Sequence, residues 1–189
     1  MMLDSHATSE DHAALLYGSD DGQLVEHVAG WLFEHLAREQ PALAIVSPAR
    51  SRALASALDR AGLNVGALRR RGLFVSLDAP AIVRSILENE PLSWTSFERR
   101  FGDLVRELAT RGPLRIYGEG AGLLWKDGKR EVALELEGHW NRLRSQVEFE
   151  LLCSYDIDVF GSEFATGSAA GVIRAHAVVL PFPAGDSSR

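Results

Sequence analysis

Glu119 follows a run with β-type character, Leu114-Arg115-Ile116-Tyr117-Gly118, and precedes Gly120-Ala121-Gly122. A carboxylate at the carboxyl end of a strand, on a glycine-rich turn, is how open α/β sheets present polar groups to a ligand. Arg115 alternates to the same face as Tyr117, and a basic residue inside a central strand calls for a carboxylate nearby. Glu137, Trp140 and Asn141 stand at i, i+3 and i+4, one side of a helix, where the polar pair edges either a pocket or a solvated face. Cys153 ends an apolar run. It reads either as a small buried hydrophobe or as a thiol activated by a nearby cation or helix N-terminus.

Other chemistries lack their residues. The turn after the first strand offers Gly18 and Gly22 where a phosphate-binding loop would lie, but Gln23 and Leu24 stand where Lys and Ser/Thr are needed. Asp20 and Asp21 would also repel a polyanion, so nucleotide hydrolysis by this route is excluded. His12 and His176 are isolated in sequence, and His27 and His35 lie two turns apart on one helix, too far to chelate one ion. No metal site and no cofactor is therefore expected. A single cysteine rules out an intrachain disulfide and a cysteine-based zinc cage. No G-x-S-x-G occurs, and catalytic Ser/His/Asp chemistry has no foothold.

The net charge of −6 argues against nucleic acid as the main partner, and the short basic clusters Arg69-Arg70-Arg71 and Arg99-Arg100 read as solvated helix ends. With no apolar run of membrane-spanning length and no basic-then-apolar leader, a cytoplasmic location is expected.

The elements that must position these residues alternate. Strands are expected at 12–17, 42–46, 73–77, 114–117 and 149–155, with helices over 23–38, 50–61, 81–87, 94–110 and 131–144, and one or two helical turns over 64–71. Continuous apolar runs such as Ala42-Leu-Ala-Ile-Val46 suit parallel strands buried on both faces. A short helix at 171–176 and a terminal strand at 177–180 follow. The pattern predicts one α/β domain over 12–183, a mostly parallel sheet with helices on both faces, between a flexible N-terminus (1–11) and a flexible tail (184–189).

The ordered set His12…Tyr17, Leu77-Asp78-Ala79, Arg115-Ile-Tyr-Gly-Glu119, Leu124-Trp125, Leu136-Glu137…Trp140-Asn141 and Leu152-Cys153-Ser154-Tyr155 resembles the MEDS domain, the methanogen/methylotroph DcmR-type sensory domain. The resemblance runs from about His12 to Pro181. It implies a RecA/KaiC-like core without a functional P-loop, the stretch from Gly62 to Asp78 being similar to the corresponding KaiC-type segment, and places Glu119 near the end of a Walker B-like strand. It further implies a non-enzymatic signal-input domain sensing a small hydrocarbon-derivative-like molecule, in a family often joined to kinase or DNA-binding modules. The partner expected here is a signalling protein such as a kinase or anti-sigma-type regulator, and the chain could self-associate. The expected ligand site gathers Arg115 and Glu119 as polar anchors and Trp125, Trp140 and Tyr155 as walls, with His12, Asp78, Glu137, Asn141 and Cys153 from the same motifs. A ligand-free interaction module and a residual nucleotide-binding enzyme are the competing readings.

Overall fold

The structure, a computed structural model, describes residues 12–17, 21–88, 91–156, 169–176 and 178–181. The expectations for residues 1–11 and 184–189, and for the turn at 18–20, lie outside the described residues. Six parallel strands form one sheet in the order β3-β2-β4-β5-β1-β6. They are β1 (His12–Tyr17), β2 (Ala42–Val46), β3 (Phe74–Asp78), β4 (Arg115–Gly118), β5 (Glu150–Asp156) and β6 (Val178–Pro181). The expected α/β class and parallel sheet are observed. Among the described residues no helix is long and apolar enough to cross a membrane.

Alternation along each strand divides the interior into two cores. Leu15, Tyr17, Ala44, Val46, Tyr117 and Leu152 face one side. Here α1 (Asp21–Leu36), α2 (Pro48–Arg60) and α3 (Val65–Arg70) cover them. The α1 helix presents Leu24, Val25, Val28, Ala29, Leu32 and Leu36, the periodic stripe visible in its sequence. Ser47 caps α2 by accepting from Arg50 N, and Pro48 sits at the first helical position, where its missing N–H costs nothing.

The other face carries Ala14, Leu16, Leu43, Ile45, Ile116, Leu151, Cys153 and Tyr155. It is covered by α4 (Ala79–Glu88), α5 (Trp94–Phe97), α6 (Asp103–Ala109), α7 (Gly120–Lys126), α8 (Arg130–Arg144) and α9 (Ala170–Ala175). The single helix expected over 94–110 is interrupted by a π segment, Glu98–Gly102, between α5 and α6. Phe97, Phe101, Val105 and Leu108 nevertheless stay buried on one side.

The glycine-rich turn expected after Glu119 is instead the start of α7, and Glu119 alone links it to β4. Glycine is costly in a helix, but packing overrides that preference. A Cβ on Gly122 would lie 2.1 Å from the Ser154 carbonyl oxygen, so only glycine lets α7 sit this close to β5.

Candidate functional site

The sequence motifs on α8 and β5 meet face to face. Glu137 on α8 points at the sheet, Asn141 one turn on reaches His12 from the exposed margin, and alternation turns Cys153 and Tyr155 of β5 toward Glu137. His12 enters from the start of β1, whose register sets it beside Leu151 and Ala14 beside Cys153. His176 arrives from the end of α9. Three elements thus converge on one carboxylate of a fourth, which has no solvent exposure.

Glu137 Oε2 lies 3.2 Å from His12 Nε2 and accepts from Cys153 Sγ at 3.6 Å. Its Oε1 lies 3.4 Å from His176 Nε2 and accepts a very short hydrogen bond from the Tyr155 hydroxyl. Cys153 Sγ is 3.7 Å from His12 Nε2. The imidazoles of His12 and His176 are 4.2 Å apart between centroids.

The outer nitrogens of both rings are also engaged. Asn141 Nδ2 donates to Ala175 O at 3.1 Å, which turns its Oδ1 toward His12 Nδ1 at 2.8 Å. An amide oxygen only accepts, so His12 Nδ1 carries a hydrogen. His176 Nδ1 likewise donates to Val172 O at 2.8 Å. Both tautomers are thereby set, with each Nε2 directed into the cluster.

A carboxylate taken wholly out of water needs compensating partners. Burial works to raise the Glu137 pKa, but the close contacts and charges of His12 and His176 outweigh it and hold the carboxyl far below its usual range. Burial lowers the basicity of His176, yet Glu137 reverses the balance and leaves its pKa raised. Burial first, and the Glu137 charge second, push the Cys153 thiol and the Tyr155 phenol well above their ordinary values. Cys153 is therefore a thiol here, not a free thiolate nucleophile.

Beside the cluster runs a narrow cleft with a cavity of about 20 Å³, lined by Ile45, Ile82, Val83, Phe101, Gly118, Gly120, Ala121, Leu136, Trp140 and Cys153. Trp140 also packs edge-on against Phe97 and so belongs to the core as well as to the wall. Trp125 meets Tyr155 edge-on, ring centroids 6.2 Å apart.

The remaining expected site residues lie elsewhere. Glu119 is buried, but it binds Arg50 (Nη1 to Oε1, 2.9 Å) and accepts from Ser47 N at 3.1 Å. Arg50 in turn holds Asp21 and the Tyr17 hydroxyl. Burial raises the Glu119 pKa, with Arg50 opposing it. Arg115, four residues earlier, stands at the opposite end of β4, roughly 13 Å away along an extended chain. Its carboxylate partners are Glu150 at 2.9 Å and Glu34 at 3.8 Å, and its Nη1 donates to Trp31 O. The structure therefore does not bring Arg115 and Glu119 together. Asp78 accepts from Ala81 N at the start of α4, on the edge strand, about 14 Å or three strand spacings from β5.

His176 was missed by sequence reasoning, because local ligand spacing cannot reveal four residues contributed by four elements. Its available signal was weak: a histidine at the end of a short helix.

No curated protein matches the chain. Residues 11–176 match the family described as MEDS, MEthanogen/methylotroph, DcmR Sensory domain. That span holds every member of the buried cluster, from His12 to His176, and with most of the chain matched, this protein belongs to the MEDS family of sensory domains.

Proposed function

We propose that this chain is a non-enzymatic signal-input domain that takes a small organic molecule into the cleft between α4, α7, α8 and the sheet. The observation that carries this reading is the cleft itself, apolar on most sides and bounded on one by Cys153 of the polar cluster. Mostly apolar walls with few polar groups suit a small hydrocarbon derivative. A cavity of about 20 Å³ holds little more than one water-sized body. A ligand of several heavy atoms must part Ile82 and Val83 on α4 from Leu136 and Trp140 on α8. Displacement of α4 is then the conformational change a partner reads, limited by the ligand's differential affinity for the two arrangements. The partner is a signalling protein such as a kinase or anti-sigma-type regulator, with self-association a further route of output.

Support for a ligand over a purely adhesive role comes from the surface. Among the described residues, Leu87 and Ile173 are the exposed large apolar side chains, and they lie on different helices. A RecA/KaiC-type origin for the core goes with this proposal. Asp21, at the start of the helix after β1, is occupied by Arg50, an arrangement suited to packing and not to a phosphate.

The test is thermal shift against a panel of one- to four-carbon alcohols, amines and halides, on wild type and Gly118→Val. A Cβ on Gly118 meets nothing within 4 Å, so the branch point of the valine fits and its two further methyls occupy the cleft. Stabilisation by a panel member in wild type, lost in G118V, is the expected result. Equal stabilisation of both proteins overturns the assignment.

A further inference from the structure

The buried cluster has the composition and dimensions of a transition-metal site, and this goes beyond the organic ligand proposed for the neighbouring cleft. His12 Nε2, His176 Nε2, Cys153 Sγ and a Glu137 oxygen all lie within 4.8 Å of one another. Metal–ligand bonds of roughly 2.0–2.3 Å in a tetrahedron require donor–donor edges of roughly 3.3–3.6 Å. His12 Nε2, Cys153 Sγ and Glu137 Oε2 form one such triangular face, with edges of 3.2 Å (His12 to Oε2), 3.6 Å (Cys153 to Oε2) and 3.7 Å (Cys153 to His12), while His176 Nε2 lies 3.4 Å from the other carboxylate oxygen, Oε1.

Two further observations point inward to a ligand. With both Nδ1 atoms donating outward, the neutral form of each histidine turns a lone pair at Nε2 toward a carboxylate, a contact that repels unless a cation or proton lies between. His176 Nε2 is buried and makes no hydrogen bond among the described residues. The surrounding contacts are also those that orient metal ligands: Asn141 on His12, the Val172 carbonyl on His176, and Tyr155 on the second oxygen of Glu137.

We infer that His12, Glu137, Cys153 and His176 bind one divalent transition-metal ion of the zinc type. Two neutral imidazoles, a carboxylate, a thiolate and a dication sum to zero charge, which a dry core tolerates far better than an uncompensated ion. The mixed nitrogen, oxygen and sulfur set suits zinc, cobalt or ferrous iron and disfavours magnesium and calcium, which prefer oxygen. Binding replaces the Cys153 proton and any proton held at the two Nε2 atoms, and these leave to solvent. The ion would join β1, β5, α8 and the end of α9. Because Cys153 also borders the cleft, an organic ligand there would touch a metal-bound sulfur.

The test is titration of chelator-treated full chain with Co²⁺ alone, followed by absorption. One equivalent should produce the intense visible bands of four-coordinate cobalt and a near-ultraviolet thiolate-to-cobalt band, both abolished by adding Zn²⁺. Cys153→Ser should lose the near-ultraviolet band, and His176→Gln should weaken binding and change the visible bands. Asn141→Ala, which acts through His12, should bind about 10–100-fold more weakly with the same bands. Absence of bands from wild type that circular dichroism shows to be folded, or bands unchanged in both C153S and H176Q, overturns the inference. None of these readouts involves the organic ligand, so the two proposals stand or fall separately.

Discussion

Cys153 and Ser154 are consecutive residues of β5 that serve opposite faces of the sheet: Cys153 Sγ donates to Glu137 under α8, while Ser154 Oγ lies 2.8 Å from the Tyr117 hydroxyl on the face of α1 and α2. One strand therefore separates two buried polar systems, one around Glu137 and one around Glu119. The expected polar site residues divide between them, the amino end of β4 (Arg115) and the edge strand β3 (Asp78). Effects of substitution in the two systems should be independent.

Glu119 supplies the sharpest separation. Glu119→Gln keeps the shape but removes the charge facing Arg50, and breaking a buried pair on one side costs about 3–5 kcal/mol at most, less here because Arg50 retains Asp21. Urea unfolding should show that loss of stability. Cobalt binding and the organic-ligand thermal shift should persist in E119Q, because β5 lies between Glu119 and the cluster. Loss of either from folded E119Q would place Glu119 in the site.

Glu137→Ala should be among the most damaging single changes. It strands His12, His176, Cys153 and Tyr155 in a dry interior without their common partner. Uncompensated buried polar groups cost about 1–3 kcal/mol each, so the variant should unfold at a much lower urea concentration or fail to accumulate folded. Tyr155→Phe, which removes one hydroxyl and leaves the histidines paired, should cost only about 1–2 kcal/mol. A Glu137→Ala protein as stable as Y155F would refute this account of the cluster.

Much of this architecture was legible in the sequence because burial writes periodicity. The strands announced themselves as apolar runs, and α1 and α8 as stripes at helical spacing. The pairing of Glu137, Trp140 and Asn141 on one side of α8 was also readable, as was the strand carrying Cys153 and Tyr155. What could not be read was the registration of separate elements. His12 and His176 look isolated because their common neighbour is on α8, and Arg115 looks like a partner for Glu119 because strand alternation gives the face and not the end. The α7 helix was hidden for a different reason. Its glycines predict a turn, and the contact between Gly122 and the Ser154 carbonyl explains the second of them.

That contact can be tested directly. Gly122→Ala places a methyl 2.1 Å from a backbone oxygen that cannot rotate away, so α7 must move off β5. Overpacking of this kind costs about 1–3 kcal/mol or more. Gly118→Ala is the matched control, since its added Cβ meets open space and the substitution should be neutral or stabilising by about 0.4–1 kcal/mol. Equal midpoints for G122A and G118A in urea would contradict the packing described.

His35 should impose a pH dependence on stability. Its Nε2–H donates to Pro113 O at 3.1 Å, while burial, and secondarily the Arg115 charge, lower its pKa. The unfolded chain therefore binds a proton near the ordinary value of about 6.5 before the folded protein does. Stability from this source is complete above that value, falls as pH drops below it, and levels off once the folded imidazole also protonates. His35→Gln retains a donor for Pro113 O but does not titrate. His139 has the same sign of shift and His176 the opposite, so the difference between wild type and H35Q isolates His35. The melting temperature of H35Q should fall less than that of wild type between about pH 7 and pH 5.5. Parallel curves would show that His35 does not set the acid sensitivity of the fold.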